Sequence, residues 1–151
     1  MVVGLAHRVL ADDVEVDDLV QDCFVQALSR LDTLHNPQAF ASWICSIVVR
    51  TAAKRLRRRR LARRLGLRQA APLDPEAIVA ATTPPDVAAE LRVVYSVLER
   101  LPAEERIALV LRRVDGLQMA QIAEQMGLSL PTVKRRLAAA EARLERARRR
   151  L

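Results

Sequence analysis

Aromatic residues are nearly absent from this chain: two Phe, one Trp and one Tyr among 151 residues. Ala, Leu, Val and Arg dominate instead, a composition that favours helices over strands. No alternating strand pattern and no internal repeat occurs. The two cysteines and two histidines lie far apart, which excludes a disulfide framework and gives no zinc-ligand spacing. Cys23 and Cys45 each fall on an apolar helical face and read as reduced core residues of a cytosolic protein. No apolar run approaches the ~20 residues of a membrane span. The opening "MVVGLAHRVLADD" has neither a basic leader nor a cleavage site, so neither membrane insertion nor a signal peptide is expected. A nucleophile with a supporting base, a carboxylate pair and a phosphate-binding loop are all missing. No catalytic residue, cofactor or metal is therefore expected.

What the chain has in excess is positive charge, +7 overall, unevenly spread. Residues 12–22 hold six acids: Asp12, Asp13, Glu15, Asp17, Asp18 and Asp22. Residues 54–64, "KRLRRRRLARR", hold eight bases with no acid between them, and a second basic block runs from Lys134 to Arg150. Two basic blocks and one acidic block imply two contacts with polyanions and one with a basic partner. A solvated helix face is the plain alternative for each.

Helical periodicity organises nearly all of the chain. In "VDDLVQDCFVQALSRL", Val16, Leu19, Val20, Cys23, Phe24, Ala27, Leu28 and Leu31 form one apolar stripe, with Asp18, Gln21, Asp22 and Val25 on the outer face. Early acids also suit the dipole of that helix. Asn36-Pro37 starts a second helix. Its apolar stripe is Phe40, Trp43, Ile44, Ile47, Val48 and Thr51, and Arg50, Lys54, Arg57 and Arg58 share another face. Trp43 could stack on a base, but within a regular apolar stripe it reads as core. Periodicity stops from Gly66 to about Pro85, where "APLDPEAIVAATTPPD" reads as a flexible or loosely docked linker. A helix resumes at Asp86 (Val87, Leu91, Val94, Leu98), and Pro102 opens another (Ile107, Val110, Leu111, Val114) that ends at Gly116. The expected fold is all-α: two small helical bundles, 1–65 and 86–151, joined by the linker 66–85. Each bundle alone would bury only a modest core.

The stretch "QMAQIAEQMGLSLPTVKRRL" reads as a helix-turn-helix. Ala123 is small where two helices cross, and Gly127 supplies the positive φ of a tight turn. Ser129 can cap the second helix and Pro131 suits its first turn. Ile122, Met126, Leu128, Val133 and Leu137 would make its small core. Pro131, Thr132, Lys134, Arg135 and Arg136 then lie on or beside the open side of the second helix, where such a motif reaches bases and phosphates.

Taken together, the chain resembles the extracytoplasmic-function (ECF) sigma factors, the small two-domain specificity subunits of bacterial RNA polymerase. "VDDLVQDCFVQALSRLD" resembles the family's "AEDLVQ…F" segment. "FASWICSIVVRTAAKRLRRRR" resembles its promoter-melting and minus-ten-reading helix, and residues 101–137 resemble its minus-thirty-five-binding domain. The resemblance implies core RNA polymerase and double-stranded and melted promoter DNA as partners, and leaves an anti-sigma factor open as a further one. It implies that Asp18, Gln21 and Asp22 meet the polymerase clamp, that Arg50, Lys54, Arg57 and Arg58 hold the minus-ten region, and that Pro131, Thr132, Lys134, Arg135 and Arg136 read the upstream element. The chain departs from the family's pattern at several points. Arg50 and Lys54 stand where Asn and Asp are common, and Pro131 and Arg135 where Gly and Ser are common. The segment before Asp17 is also short. A stand-alone helix-turn-helix regulator would account for residues 86–151 but would leave the acidic helix and "RLRRRR" without a purpose. A small recombinase would need the nucleophile that is missing.

Overall fold

Capping residues set the helix boundaries. The computed structural model describes residues 1–10, 13–67 and 84–150. Within them are seven α-helices: α1 (Val2–Leu10), α2 (Asp13–Ser29), α3 (Phe40–Arg64), α4 (Pro85–Arg100), α5 (Ala103–Arg113), α6 (Met119–Met126) and α7 (Leu130–Arg148). The Asn36 side chain accepts a hydrogen bond from the Gln38 N–H at 3.0 Å and opens a single 3₁₀ turn, Pro37–Ala39, that runs into α3. Pro102 precedes α5. Gly116 and Gly127 take φ of +67° and +65°, the left-handed conformation that lets α5 and α6 end in sharp turns. The linker expected over 66–85 lies mostly outside the described residues. None of the described helices is long and apolar enough to cross a membrane.

Helices α1, α2 and α3 pack on one another as an N-terminal lobe, and α4 to α7 form a C-terminal lobe. The lobes are in direct contact. One apolar cluster runs through both, joining Leu5, Val9, Leu19, Ile44 and Val48 to Ile107, Ala108, Leu111, Ile122 and Val133. A second cluster (Val97, Leu101, Leu109, Leu137, Ala140) belongs to the C-terminal lobe alone. Helix α5 lies between the two, buried on nearly every side. Polar contacts also cross. Arg8 pairs with Asp115 at 2.5 Å, Arg57 with Glu104 at 2.6 Å and Arg63 with Glu99 at 2.8 Å. The Arg106 guanidinium donates to the Leu10 carbonyl at 2.8 Å.

Several expected core residues lie outside the core. Phe24, Leu28 and Leu31 are 49%, 75% and 52% exposed, because α2 buries only the narrow line Val16, Leu19, Cys23 and Ala27 against α1 and α3. Phe40, Val87 and Val114 are also exposed, and Thr51 is half-buried. Conversely α3 also buries Val49, Ala52, Ala53, Leu56 and Arg59, which lay outside the expected stripe, because it packs against helices of both lobes. Both cysteines are free thiols whose pKa is pushed up by burial.

Candidate nucleic-acid interface

The N-terminal end of α7 is built by local rules. Ser129 Oγ accepts from the Thr132 N–H at 3.4 Å and lies 2.8 Å from the Thr132 hydroxyl, fixing the first turn. In α6, Gln118 and Gln121 form a reciprocal cap that the sequence reading did not single out. Val133 and Leu137 point inward, and this leaves Pro131, Lys134 and Arg135 exposed. Thr132 is half-buried by its cap. Arg136 lies on the flank, half-buried, with its Nε buried and without a hydrogen bond. Its charge reaches Glu104 of α5. Burial alone would push the Glu104 carboxyl up. Hydrogen bonds from Arg57 and the backbone, with the charges of Arg57 and Arg136, outweigh that and hold it below its ordinary value.

On α3, Arg50, Lys54, Arg57 and Arg58 are exposed and line one cleft of about 450 Å³. Asp22 and Gln26 of α2 form its far wall. The basic run is less uniform than its sequence suggests. Arg55, Arg57, Arg59 and Arg63 face Asp22, Glu104, Glu15 and Glu99 respectively. Lys54, Arg58, Arg60 and Arg64 have no acidic partner among the described residues. Arg50 is engaged differently: its guanidinium lies against Gly127 in the turn of the helix-turn-helix and is 3.4 Å from the Glu124 carbonyl. A neighbouring cleft of about 570 Å³ is lined by His35, Asn36, Ser42, Trp43 and Arg50, with Glu124 at its edge. Trp43 is half-buried and tilted against Phe40, ring centres 5.9 Å apart.

On the outer face of α2, Asp18, Gln21 and Asp22 are all exposed. Asp22 is not a free charge, because Arg55 pairs with it. Beside them stand the exposed apolar side chains Phe24, Val25 and Leu28. The molecule thus presents an acidic, partly apolar face on one helix, a cationic cleft on the next and a basic, exposed helix face on α7 in the other lobe.

Comparison with known proteins identifies two family units in the chain. Residues 1–62 match the family model of sigma-70 region 2, and residues 91–144 match that of sigma-70 region 4. The fold and its surfaces therefore define a two-lobed, DNA-binding transcription protein assembled from these two units. The chain is 31% identical over 130 residues to the ECF RNA polymerase sigma-E factor of Escherichia coli K12, covering 82% of this chain and 68% of that one. It is 29% identical over 133 residues to the RNA polymerase sigma factor SigV of Bacillus subtilis, covering 88% and 75%. Among solved structures, the sigma factor RpoE of Bartonella quintana, in complex with the anti-sigma factor NepR, is similar in fold, with a TM-score of 0.68 at 20% identity over 98% of this chain and 89% of that one. CnrH, in complex with the cytosolic domain of CnrY, gives 0.59 at 25% identity over 95% and 78%. The chain belongs to the ECF sigma factors of bacterial RNA polymerase.

Proposed function

We propose that the three faces divide the work of a sigma factor between them. The outer face of α2, with Asp18, Gln21 and Asp22, docks on a basic surface of core RNA polymerase. The cleft bearing Arg50, Lys54, Arg57 and Arg58 holds the minus-ten region. The exposed end of α7, with Pro131, Lys134 and Arg135 and flanked by Thr132 and Arg136, enters the major groove at the minus-thirty-five element. The observation that carries this reading is the pairing of two separate cationic surfaces with one acidic surface, on helices that match region 2 and region 4 in order. Strand opening is then binding work. The cleft beside Trp43 offers an aromatic wall to an unstacked base, while the cations hold its phosphates, so unpaired DNA is held better than duplex. Bond formation belongs to the polymerase, and the protein works in the cytoplasm where that enzyme is.

The same reading requires the lobes to part. The minus-ten and minus-thirty-five elements are about 25 base pairs apart, roughly 85 Å of duplex at about 3.4 Å per step. In the closed arrangement Arg50 touches the turn that leads straight into α7, so the two DNA faces lie within a few helix diameters, each about 10–12 Å. A closed molecule reaches one element but not both. RpoE of Bartonella quintana was seen with an anti-sigma factor, and CnrH with the cytosolic domain of CnrY. The exposed Phe24, Val25, Leu28 and Phe40 supply this chain with apolar surface that such a partner could cover.

Run-off transcription with purified core polymerase on genomic fragments tests the function. Transcripts that start at discrete sites only when this protein is added are expected. Failure to capture core polymerase in a pull-down, together with sequence-specific DNA binding by the protein alone, would favour a stand-alone helix-turn-helix regulator.

A further inference from the structure

Six arginines, Arg59, Arg60, Arg63, Arg64, Arg100 and Arg106, line one pocket of about 510 Å³ between the C-terminal end of α3 and the corner that joins α4 to α5. Among the described residues its only lining carboxylate is Glu99, which Arg63 engages at 2.8 Å. Arg59 reaches Glu15 outside the pocket at 3.4 Å. Arg60, Arg64 and Arg100 have no acidic partner among the described residues. Arg106 is only 5% exposed. One of its terminal nitrogens donates to the Leu10 carbonyl, but its Nε is buried without an acceptor. Burial, with the like charges of Arg59 and Arg63, pulls its pKa down to about 10 despite the opposing pull of Glu99. Among the described residues Arg60, Arg64 and Arg100 leave an excess of positive charge beside a buried guanidinium, and an anion in the pocket would offset it.

We propose that this pocket binds a small diphosphate-bearing anion of the nucleoside diphosphate class, held by both lobes at once. Guanidinium forks suit phosphate oxygens, and several converging forks suit a diphosphate better than a single phosphate. The volume exceeds the needs of one phosphate. Leu56, Leu101 and Ala103 add an apolar wall against which a base can lie. A second cleft of about 380 Å³ shares Arg60, Arg100 and Leu101 and extends the cationic surface towards the end of α7. A DNA duplex could meet the exposed Arg60, Arg64 and Arg100, whereas Arg106 is buried. Because α3 supplies one wall and α4 with α5 the other, a bound diphosphate ties the lobes together. The site is separate from the three faces assigned above, and its occupancy can be measured without polymerase or promoter.

Calorimetric titration of the full chain at constant ionic strength tests the site, with ADP, pyrophosphate and orthophosphate as probes. One ADP per chain is expected, with ADP at least as tight as pyrophosphate and both roughly tenfold or more tighter than orthophosphate. Arg64→Ala/Arg100→Ala should weaken ADP and pyrophosphate by about tenfold or more. Neither arginine has an acidic partner to lose among the described residues, so this variant should remain folded and, without ligand, melt no lower than the parent. Lys134→Ala/Arg135→Ala, on the recognition helix, should leave ADP binding unchanged. The proposal is overturned if neither probe saturates, if orthophosphate binds as well as ADP, or if the two variants lose affinity equally, which would mark diffuse attraction to a basic protein. A random DNA duplex that binds more tightly than ADP, and loses that binding in Arg64→Ala/Arg100→Ala, would assign the pocket to DNA and equally overturn it.

Discussion

Asp18 and Asp22 look equivalent in sequence, one helical turn apart on the same face, but the structure separates them. Asp22 neutralises Arg55, whose side chain is 16% exposed, whereas Asp18 has no partner among the described residues. Reversing Asp22 would confront Arg55 with a like charge and mix a stability effect into any binding result. Asp18→Arg is the cleaner probe. It should change unfolding free energy by less than about 0.5 kcal/mol, as surface substitutions usually do, while weakening capture of core polymerase by tenfold or more. Unaltered capture would remove this helix from the polymerase interface. Gly127 is a second position where one residue decides the local geometry. Its φ of +65° strains any side chain, and an added Cβ would meet Arg50 Nε at 3.3 Å. Gly127→Ala should cost about 1–2 kcal/mol in urea unfolding from the left-handed backbone alone. Arg50 is the end of a flexible chain and can yield, so Gly127→Ala in an Arg50→Ala background should cost nearly as much. A cost that vanished in that background would put the strain in the contact and not in the backbone.

At the scale of the element, the two arginines at the open end of α7 have different surroundings. Arg135 is exposed; Arg136 is half-buried beside Glu104. Arg135→Ala should cost on the order of 1–3 kcal/mol of upstream-element binding and relax specificity at one position, if it reads a base. Arg136→Ala should act mainly on the lobe contact and on stability, with a weak, sequence-independent loss of DNA affinity. Footprinting of both variants, with a salt titration, distinguishes them; a larger specificity change in Arg136→Ala would reverse the assignment. How far such elements can be read from sequence depends on how local their causes are. Pro102, Gly127 and Ser129 act within one turn of backbone, and helices begin or end beside them, whereas Asn36-Pro37 opens a 3₁₀ turn and the α-helix expected to start there begins only at Phe40. Burial is not local. Phe24, Leu28 and Leu31 have the period of a core stripe, yet α2 meets its neighbours along a line too narrow to cover them. On α3 the buried Ala52, Ala53 and Arg59 carry little apolar signal, and Arg59 is buried beside Glu15 of α2, a contact that only the fold makes. The cationic cleft was legible because four like charges at helical spacing must share a face. The arginine pocket was not, since Arg100 and Arg106 join it only through the fold.

For the molecule as a whole, the proposed function turns on a balance between closed and parted lobes. Closure is held by the shared apolar cluster and by ion pairs that cross it, among them Arg57 with Glu104 and Arg63 with Glu99. Glu104 has a folded-state pKa below the ordinary 4.5, so its contribution is complete above that value and is lost as pH falls through the depressed one. Acid below about pH 4.5 should therefore loosen the closed form of the parent, and Glu104→Gln should lack that component. Arg57 is 57% exposed, which keeps the effect small. Neutralising two crossing pairs together should be clearer. Glu99→Gln/Glu104→Gln removes contacts worth about 0.2–1 kcal/mol each at such exposure, enough to shift the balance from a few-fold to roughly thirty-fold. It also leaves Arg57 and Arg63 unpaired, raising the charge offered to DNA. Small-angle scattering of the closed parent should give a radius of gyration near 15 Å, the value for a compact chain of this length. The variant should be larger, and should bind a single-stranded minus-ten oligonucleotide several-fold more tightly. Excess salt should shrink that difference, because it screens the crossing pairs of the parent and the added phosphate attraction of the variant alike. If the variant keeps the parent's radius and its affinity, the ion pairs do not govern the lobes, and closure rests on Ile107, Leu111 and the apolar cluster around them.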